Sequence, residues 1–124
     1  MRDIVGKGGK SIGVQIAFNA RLNSYFAVKI ISEVAAAKEH WEIQPRDELA
    51  ALREVTDAGV PFVVPLKASY ERDGKMYLVM DYMPGGELTS RVHGRAMEHD
   101  EVLFYAAEIV LGLEGIHALG YMYR

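Results

Sequence analysis

The sequence contains no cysteine, which removes disulfide frameworks and thiolate metal sites. That absence fits an intracellular protein, cytoplasmic, nuclear or both. Positive charge is not in excess. Fourteen Lys and Arg against 17 Asp and Glu leave a net charge of −3, with no basic run. No nucleic-acid surface is therefore expected. No apolar run approaches the roughly 20 residues that span a bilayer. The opening "MRDIVGKGGK" also lacks the apolar centre of a signal peptide. No membrane association is expected either. His40, His93 and His99 show no metal-ligand spacing with one another, so no protein metal site is assigned. Internal repeats and low-complexity segments are missing too. What is present is a chain of 124 residues, half apolar and a quarter charged. That suffices for one small soluble domain with a modest core.

The first chemical signal is "GKGGKS" at Gly6–Ser11. Its Gly-Lys-Ser ending is that of a Walker A phosphate loop, G-x-x-x-x-G-K-[ST], which leads straight into a helix. Counting back from Gly9, the first glycine of that motif belongs at position 4, which is Ile4. The chain beyond also argues against a helix. Val14, Ile16 and Phe18 alternate with Gln15, Ala17 and Asn19, the period of a strand. "ARLNS" then supplies turn residues and "YFAVKII" a second β-rich run. The glycines thus lie between a short first strand, Asp3–Val5, and a hairpin. A phosphate loop between strands is a different device from a Walker A helix.

Lys29 closes "FAVK" on the second of those strands. A strand lysine that grips phosphates needs a carboxylate to hold its ammonium. After it, "ELAALREV" favours helix, with Leu49, Leu52 and Val55 at helical spacing. Pro45 and Asp47 suit its start. Glu48 in the first turn is the expected partner of Lys29, and Glu54, one to two turns on, is the competitor. Taken singly, a glycine turn is more often a hairpin turn. A strand lysine or a helix glutamate is more often merely solvated. Order and spacing are what make the set informative.

Together these residues resemble the eukaryotic protein kinases, most closely the AGC group that includes cyclic-AMP-dependent protein kinase. The 19-residue step from Lys29 to Glu48 matches that group. "VPFVVPLKASYERDGKMYLVMDYMPGGEL" is similar to its fourth and fifth strands and hinge. "FYAAEIVLGLEGIHALGYMYR" is similar to the first long helix of the large lobe and the approach to the catalytic loop, with Tyr-Arg in the tyrosine form of H-R-D. The residues agree with this. "ASYERDGKMYLVMDY" is strand, Asp-Gly turn and strand, in which one face can enter a core and the other line a cleft. From Asp100, Val102, Leu103, Ala106, Ile109, Val110, Leu113 and Ile116 form a helical stripe that "ALG" ends.

The resemblance implies an α+β fold: a five-stranded antiparallel small lobe with one main helix (1–82), a hinge (83–87) and the start of a helical large lobe (88–124). It implies ATP with Mg²⁺ as cofactors and transfer of the γ-phosphoryl group to Ser or Thr of a protein substrate. Gly6, Gly8, Gly9 and Gly13 would let backbone approach the phosphates. Val14 and Ala27 would cover the adenine, Met80 would stand behind it, and the backbones of Asp81 and Met83 would contact it. Lys29 would bind the α- and β-phosphates, with Glu48 orienting it. Glu87 would bind ribose and read a basic residue upstream of the substrate hydroxyl. Leu52 and Leu66 match apolar packing positions. His117 and Trp41 are read as packing residues, Trp41 on a short connecting helix.

Two departures qualify this. G-x-G-x-x-G-x-V spans eight residues, whereas Gly6 to Val14 spans nine. The third glycine is Gly13 with one residue inserted, or its place is taken by Ser11 or Ile12. The sequence also ends at Arg124. The catalytic Asp, the metal-holding Asn and the D-F-G Asp would follow, so the 124 residues alone are expected to bind nucleotide weakly and not to turn over. The stripe on residues 100–116 would be an exposed apolar patch. Two alternatives stand beside the kinase reading: a catalytically dead kinase-like binding or scaffold protein, and a P-loop NTPase.

Overall fold

Two of the strand connections owe their shape to specific turn chemistry. The computed structural model describes residues 2–6 (backbone only), 13–32, 45–93 and 96–123. Its elements are β1 (Arg2–Gly6), β2 (Gly13–Asn19), β3 (Ser24–Ser32), α1 (Pro45–Asp57), β4 (Leu66–Arg72), β5 (Lys75–Asp81), α2 (Leu88–Val92) and α3 (His99–Ala118). Asn19 shapes the β2–β3 turn. Its Oδ1 accepts from the backbone N–H of Arg21 at 3.0 Å and of Leu22 at 3.2 Å, and Asn23 takes φ 48°. Asp73 and Gly74, at φ 53° and 67°, join β4 to β5 in a two-residue turn whose twist suits a hairpin.

Strands β2 to β5 form an antiparallel sheet in the order β2-β3-β5-β4, and the β1 backbone runs along the free edge of β2. The helix that a Walker A loop requires after Ser11 is not formed, because β2 already begins at Gly13. The P-loop NTPase reading falls with it. Gly8, Gly9, Lys10, Ser11 and Ile12, and with them the choice of third loop glycine, lie outside the described residues. So do His40, Trp41 and Arg124.

Opposed residues of an antiparallel pair project to the same face. The register therefore sorts the sheet. Val14 and Ile16 stand opposite Lys29 and Ala27; Ala27, Lys29 and Ile31 stand opposite Met80, Leu78 and Met76; Met80 stands opposite Leu66. On this face Ile31, Met76 and Leu78 are fully buried, and Leu49, Leu52 and Leu66 pack against them. The opposite face carries Val28 and Ile30, also buried, and the rings of Tyr70 and Tyr77, stacked at 4.6 Å. Core and cleft were expected to divide the two faces of β5. The core takes the face that carries Met76 and Leu78, which is also the face of Met80. Helix α1 covers the Met76–Leu78 half, and Met80 is half-buried.

Helix α1 starts on a buried Pro45, whose missing N–H costs nothing at a first helical position, and carries Asp47 and Glu48 in its first turn. Gly59, at φ 64°, ends it. The Gly59 N–H donates to Thr56 O at 3.0 Å and the Val60 N–H to Val55 O at 3.2 Å, a Schellman closure. Thr56 then ties the helix to the sheet. Its Oγ1 donates to Leu52 O at 2.7 Å and accepts from the Leu66 N–H at 2.9 Å.

Helix α3, 20 residues long, is an apolar run closed at both ends by its flanking residues. Glu98 and Glu101 form a reciprocal capping box at its start, although Glu is not a usual N-cap. Gly120, at φ 82°, closes its end by a second Schellman pair: Gly120 N–H to His117 O at 2.9 Å and Tyr121 N–H to Ile116 O at 3.2 Å. Of the expected stripe, Leu113 and Ile116 are half-buried, while Val102, Leu103, Ala106, Ile109 and Val110 are exposed. His117 is exposed as well, rather than set in a core.

Candidate functional site

The register places Lys29 in the centre of one sheet face, between Val14 on β2 and Leu78 on β5. Helix α1 packs on the same face and brings its first turn over the strand. There Lys29 Nζ donates to Glu48 Oε1 in an ion pair. The two side chains keep 30% and 34% of their surface. The ammonium is therefore held but not sealed, and an anion could still approach it. Glu54 has a different partner: it accepts from the Tyr121 hydroxyl at 2.6 Å.

Val14, Ala27 and Met80 line the same face and are all half-buried. Ala27 lies directly opposite Met80. A small side chain thus stands opposite a long flexible one on this half-buried face. At the rim, Asp81 sends its carboxylate to Lys67, Nζ to Oδ2 at 3.1 Å. Met83 is exposed and begins a reverse turn through Pro84 and Gly85, closed by the Gly86 N–H on Met83 O at 3.3 Å. Glu87 follows, exposed, with Oε2 accepting from Thr89 Oγ1 at 3.1 Å.

The glycine stretch enters from the same side. Gly6 pairs with Val14, and Gly13, buried and at φ 152°, opens β2. The backbone thus leaves and rejoins the sheet directly beside Val14. Gly8 and Gly9 lie outside the described residues. The arrangement offers one held cation, three half-buried apolar side chains on the same face, an exposed turn at its rim and glycines at both ends of the β1–β2 connection. That set suits a ligand with an apolar flat part and an anionic tail.

A concavity of about 490 Å³ shares Met83 and Glu87 with this rim. Its walls include Phe62, Pro65, Met83, Glu87, Tyr105 and Ile109, and it contains neither Lys29 nor Glu48. It sits behind the Met83–Glu87 turn, so enclosure alone does not mark the chemistry here. Among the described residues no group of three His, Asp or Glu could hold a metal ion. No helix among them is long and apolar enough to cross a membrane.

Comparison with known proteins decides the family. The family described as "Protein kinase domain" matches residues 1–124. The chain belongs to the protein kinase family. Similar curated proteins include ribosomal protein S6 kinase 2 alpha of Gallus gallus, 33% identical over 98% of this chain and 16% of that protein. Ribosomal protein S6 kinase 2 beta of Xenopus laevis is 33% identical over 98% of this chain and 19% of its own length. Ribosomal protein S6 kinase alpha-1 of Homo sapiens is 32% identical over 98% and 16%. The chain thus spans under a fifth of the length of these relatives, and the likeness is to AGC-type kinases. Sequence reasoning missed three features of this kinase chain: the Tyr121–Glu54 bond, the Lys67–Asp81 pair and the concavity behind the hinge turn. Tyr121 and Glu54 are 67 residues apart with no local pattern to join them.

Proposed function

We propose that this chain is the nucleotide-binding part of a Ser/Thr protein kinase domain that transfers the ATP γ-phosphoryl group to a protein. In this reading residues 1–82 form the small lobe, a five-stranded sheet with α1 as its main helix. Residues 83–87 are the hinge and 88–124 begin the large lobe. The supporting observation is the Lys29–Glu48 ion pair on the same sheet face as Val14, Ala27 and Met80.

Each residue then has a physical task. Val14 and Ala27 cover the adenine and Met80 stands behind it. The backbones of Asp81 and Met83 contact its edge. Lys29 neutralises the α- and β-phosphates, and Glu48 keeps the lysine from swinging into solvent. Gly6, Gly8, Gly9 and Gly13 let the loop backbone approach the phosphates without a Cβ in the way. Glu87 binds ribose and favours substrates with a basic residue upstream of the hydroxyl. Mg²⁺ accompanies ATP and supplies charge neutralisation, and the described residues hold no ligand set for it. The use of ATP agrees with an intracellular setting.

The test is nucleotide binding. A fluorescent ATP analogue is titrated into the chain and into Lys29→Met. Hydrogen bonds to charged groups contribute about 1.5–3 kcal/mol, so affinity should fall roughly tenfold to 150-fold. Equal affinity for both proteins would sink the reading. Intact binding without phosphoryl transfer would favour a non-catalytic binding role, a reading the exposed Val102, Leu103 and Phe104 on α3 also suit.

A further inference from the structure

Helix α1 and the segment after α3 meet through the residues that follow their two glycine closures. Past Gly59, the chain turns to bring Val60 against α3: a Cβ placed on Gly115 would lie 2.4 Å from Val60 Cγ1. Past Gly120, the second closure turns Tyr121 toward α1, where its hydroxyl donates to Glu54 Oε2 at 2.6 Å. Each helix is thus touched by the residue emerging from the end of the other. Two other side-chain ties of α1 run to β4: Arg53 Nη2 donates to Ser69 Oγ at 2.9 Å, and Arg46 pairs with Glu71 at 3.7 Å. The Tyr121 bond runs instead to a residue beyond the hinge turn.

Glu54 and Glu48 stand six residues apart on one continuous helix, about 9 Å along its axis. A helix of this length moves as a rod over such a distance. A restraint at Glu54 therefore limits how far Glu48 can rock away from Lys29. The seam to β4 holds one side of the rod, and Tyr121 holds another.

We propose that Tyr121 is a positioning residue: its hydrogen bond to Glu54 fixes the outer half of α1 and so keeps Glu48 on Lys29. The functional consequence rests on the nucleotide-binding reading above. Tyr121→Phe removes one oxygen at the surface and leaves the ring. Glu54→Gln keeps an acceptor for the hydroxyl, and Glu54→Ala removes it.

Three readouts are taken on the 124-residue chain: amide hydrogen exchange over residues 45–57, the Lys29 side-chain ammonium signal by ¹⁵N NMR, and affinity for the fluorescent ATP analogue. Tyr121→Phe and Glu54→Ala should each speed exchange in α1, broaden or shift the Lys29 signal and weaken the analogue about threefold to tenfold. Their combination should do no more than either alone. Glu54→Gln should stay within about twofold of the parent. Unchanged exchange and an unchanged Lys29 signal in Tyr121→Phe overturn the proposal. So does faster exchange with the Lys29 signal intact, because the bond then does not reach the ion pair. If the Lys29 signal responds but no protein, parent included, binds the analogue, the positioning role stands and the nucleotide-binding reading fails.

Discussion

Removing the charge of Glu48 separates a stabilising role from a positioning one. Glu48→Gln deletes the ion pair with Lys29 but keeps the size and an acceptor oxygen. Both partners keep about a third of their surface, at 30% and 34%. They are therefore far from a dry buried pair, whose disruption costs about 3–5 kcal/mol. Solvent-accessible pairs contribute about 0.2–1 kcal/mol. For a domain of this size that is a fall in Tm of at most roughly 5 °C. The effect on nucleotide binding should be larger than the effect on folding. Its ceiling is what the lysine itself contributes, roughly tenfold to 150-fold in affinity.

The assay is a thermodynamic cycle. Thermal unfolding and ATP-analogue affinity are measured for the parent, Glu48→Gln, Lys29→Met and the double variant. Glu48→Gln should lose less affinity than Lys29→Met. In the Lys29→Met background it should lose nothing further, because Glu48 acts through the lysine. A stability loss above about 3 kcal/mol would show a structural pair of the buried kind instead. An equal affinity loss with and without Lys29 would refute the positioning role of Glu48 outright.

Leu78 is 0% exposed at the centre of the sheet core, so Leu78→Ala should lose about 2–5 kcal/mol, read as a lower urea midpoint at unchanged slope. Gly115→Ala should cost about 1–3 kcal/mol by overpacking, since the new Cβ would meet Val60 Cγ1 at 2.4 Å. Adding Val60→Ala should return part of that loss, whereas Gly112→Ala, whose Cβ would meet Pro61 O at 3.5 Å, should be far milder. The Tyr121 hydroxyl titrates above the usual tyrosine value of 10.0, first because it donates to Glu54, then through burial and the nearby carboxylate charge. A raised folded-state value means that the bond's contribution is complete below about pH 10 and is lost as pH rises through the folded value. The stability gap between the parent and Tyr121→Phe should therefore be flat from pH 7 to about 9 and close at more alkaline pH. A gap that widens with alkali would contradict the assigned donor.

Most of the sheet was legible because local chemistry and tertiary demand agree there. The alternation of Val14, Ile16 and Phe18 gave β2, and Asp73-Gly74 takes the positive φ angles a two-residue hairpin needs. Pro45 and the acidic first turn mark the start of α1 where the structure has it. What alternation could not tell is which half of a face a helix will cover. Leu78 and Met80 share one face of β5, and only the seating of α1 buries the first fully while the second stays half-buried. The ends of α3 were also only partly legible. His99–Ala118 exceeds the apolar stripe at both ends because Glu98 and Gly120 close it by backbone bonds that hydrophobic spacing does not record.

The choice between Glu48 and Glu54 could not be made from composition, since both are glutamates of the same amphipathic helix. Helix geometry makes it. Six residues at about 100° each separate the two by roughly 120° around the axis. Leu49, Leu52 and Val55 must face the sheet core to bury their side chains. With that stripe fixed, Glu48 falls beside the strand that carries Lys29, and Glu54 is turned away from it. A carboxylate so placed reaches only what approaches α1 from outside the sheet. The Gly120 closure brings Tyr121 there. One rotation of the helix thus assigns both acids, and a change that turned α1 by even one residue would break both bonds together.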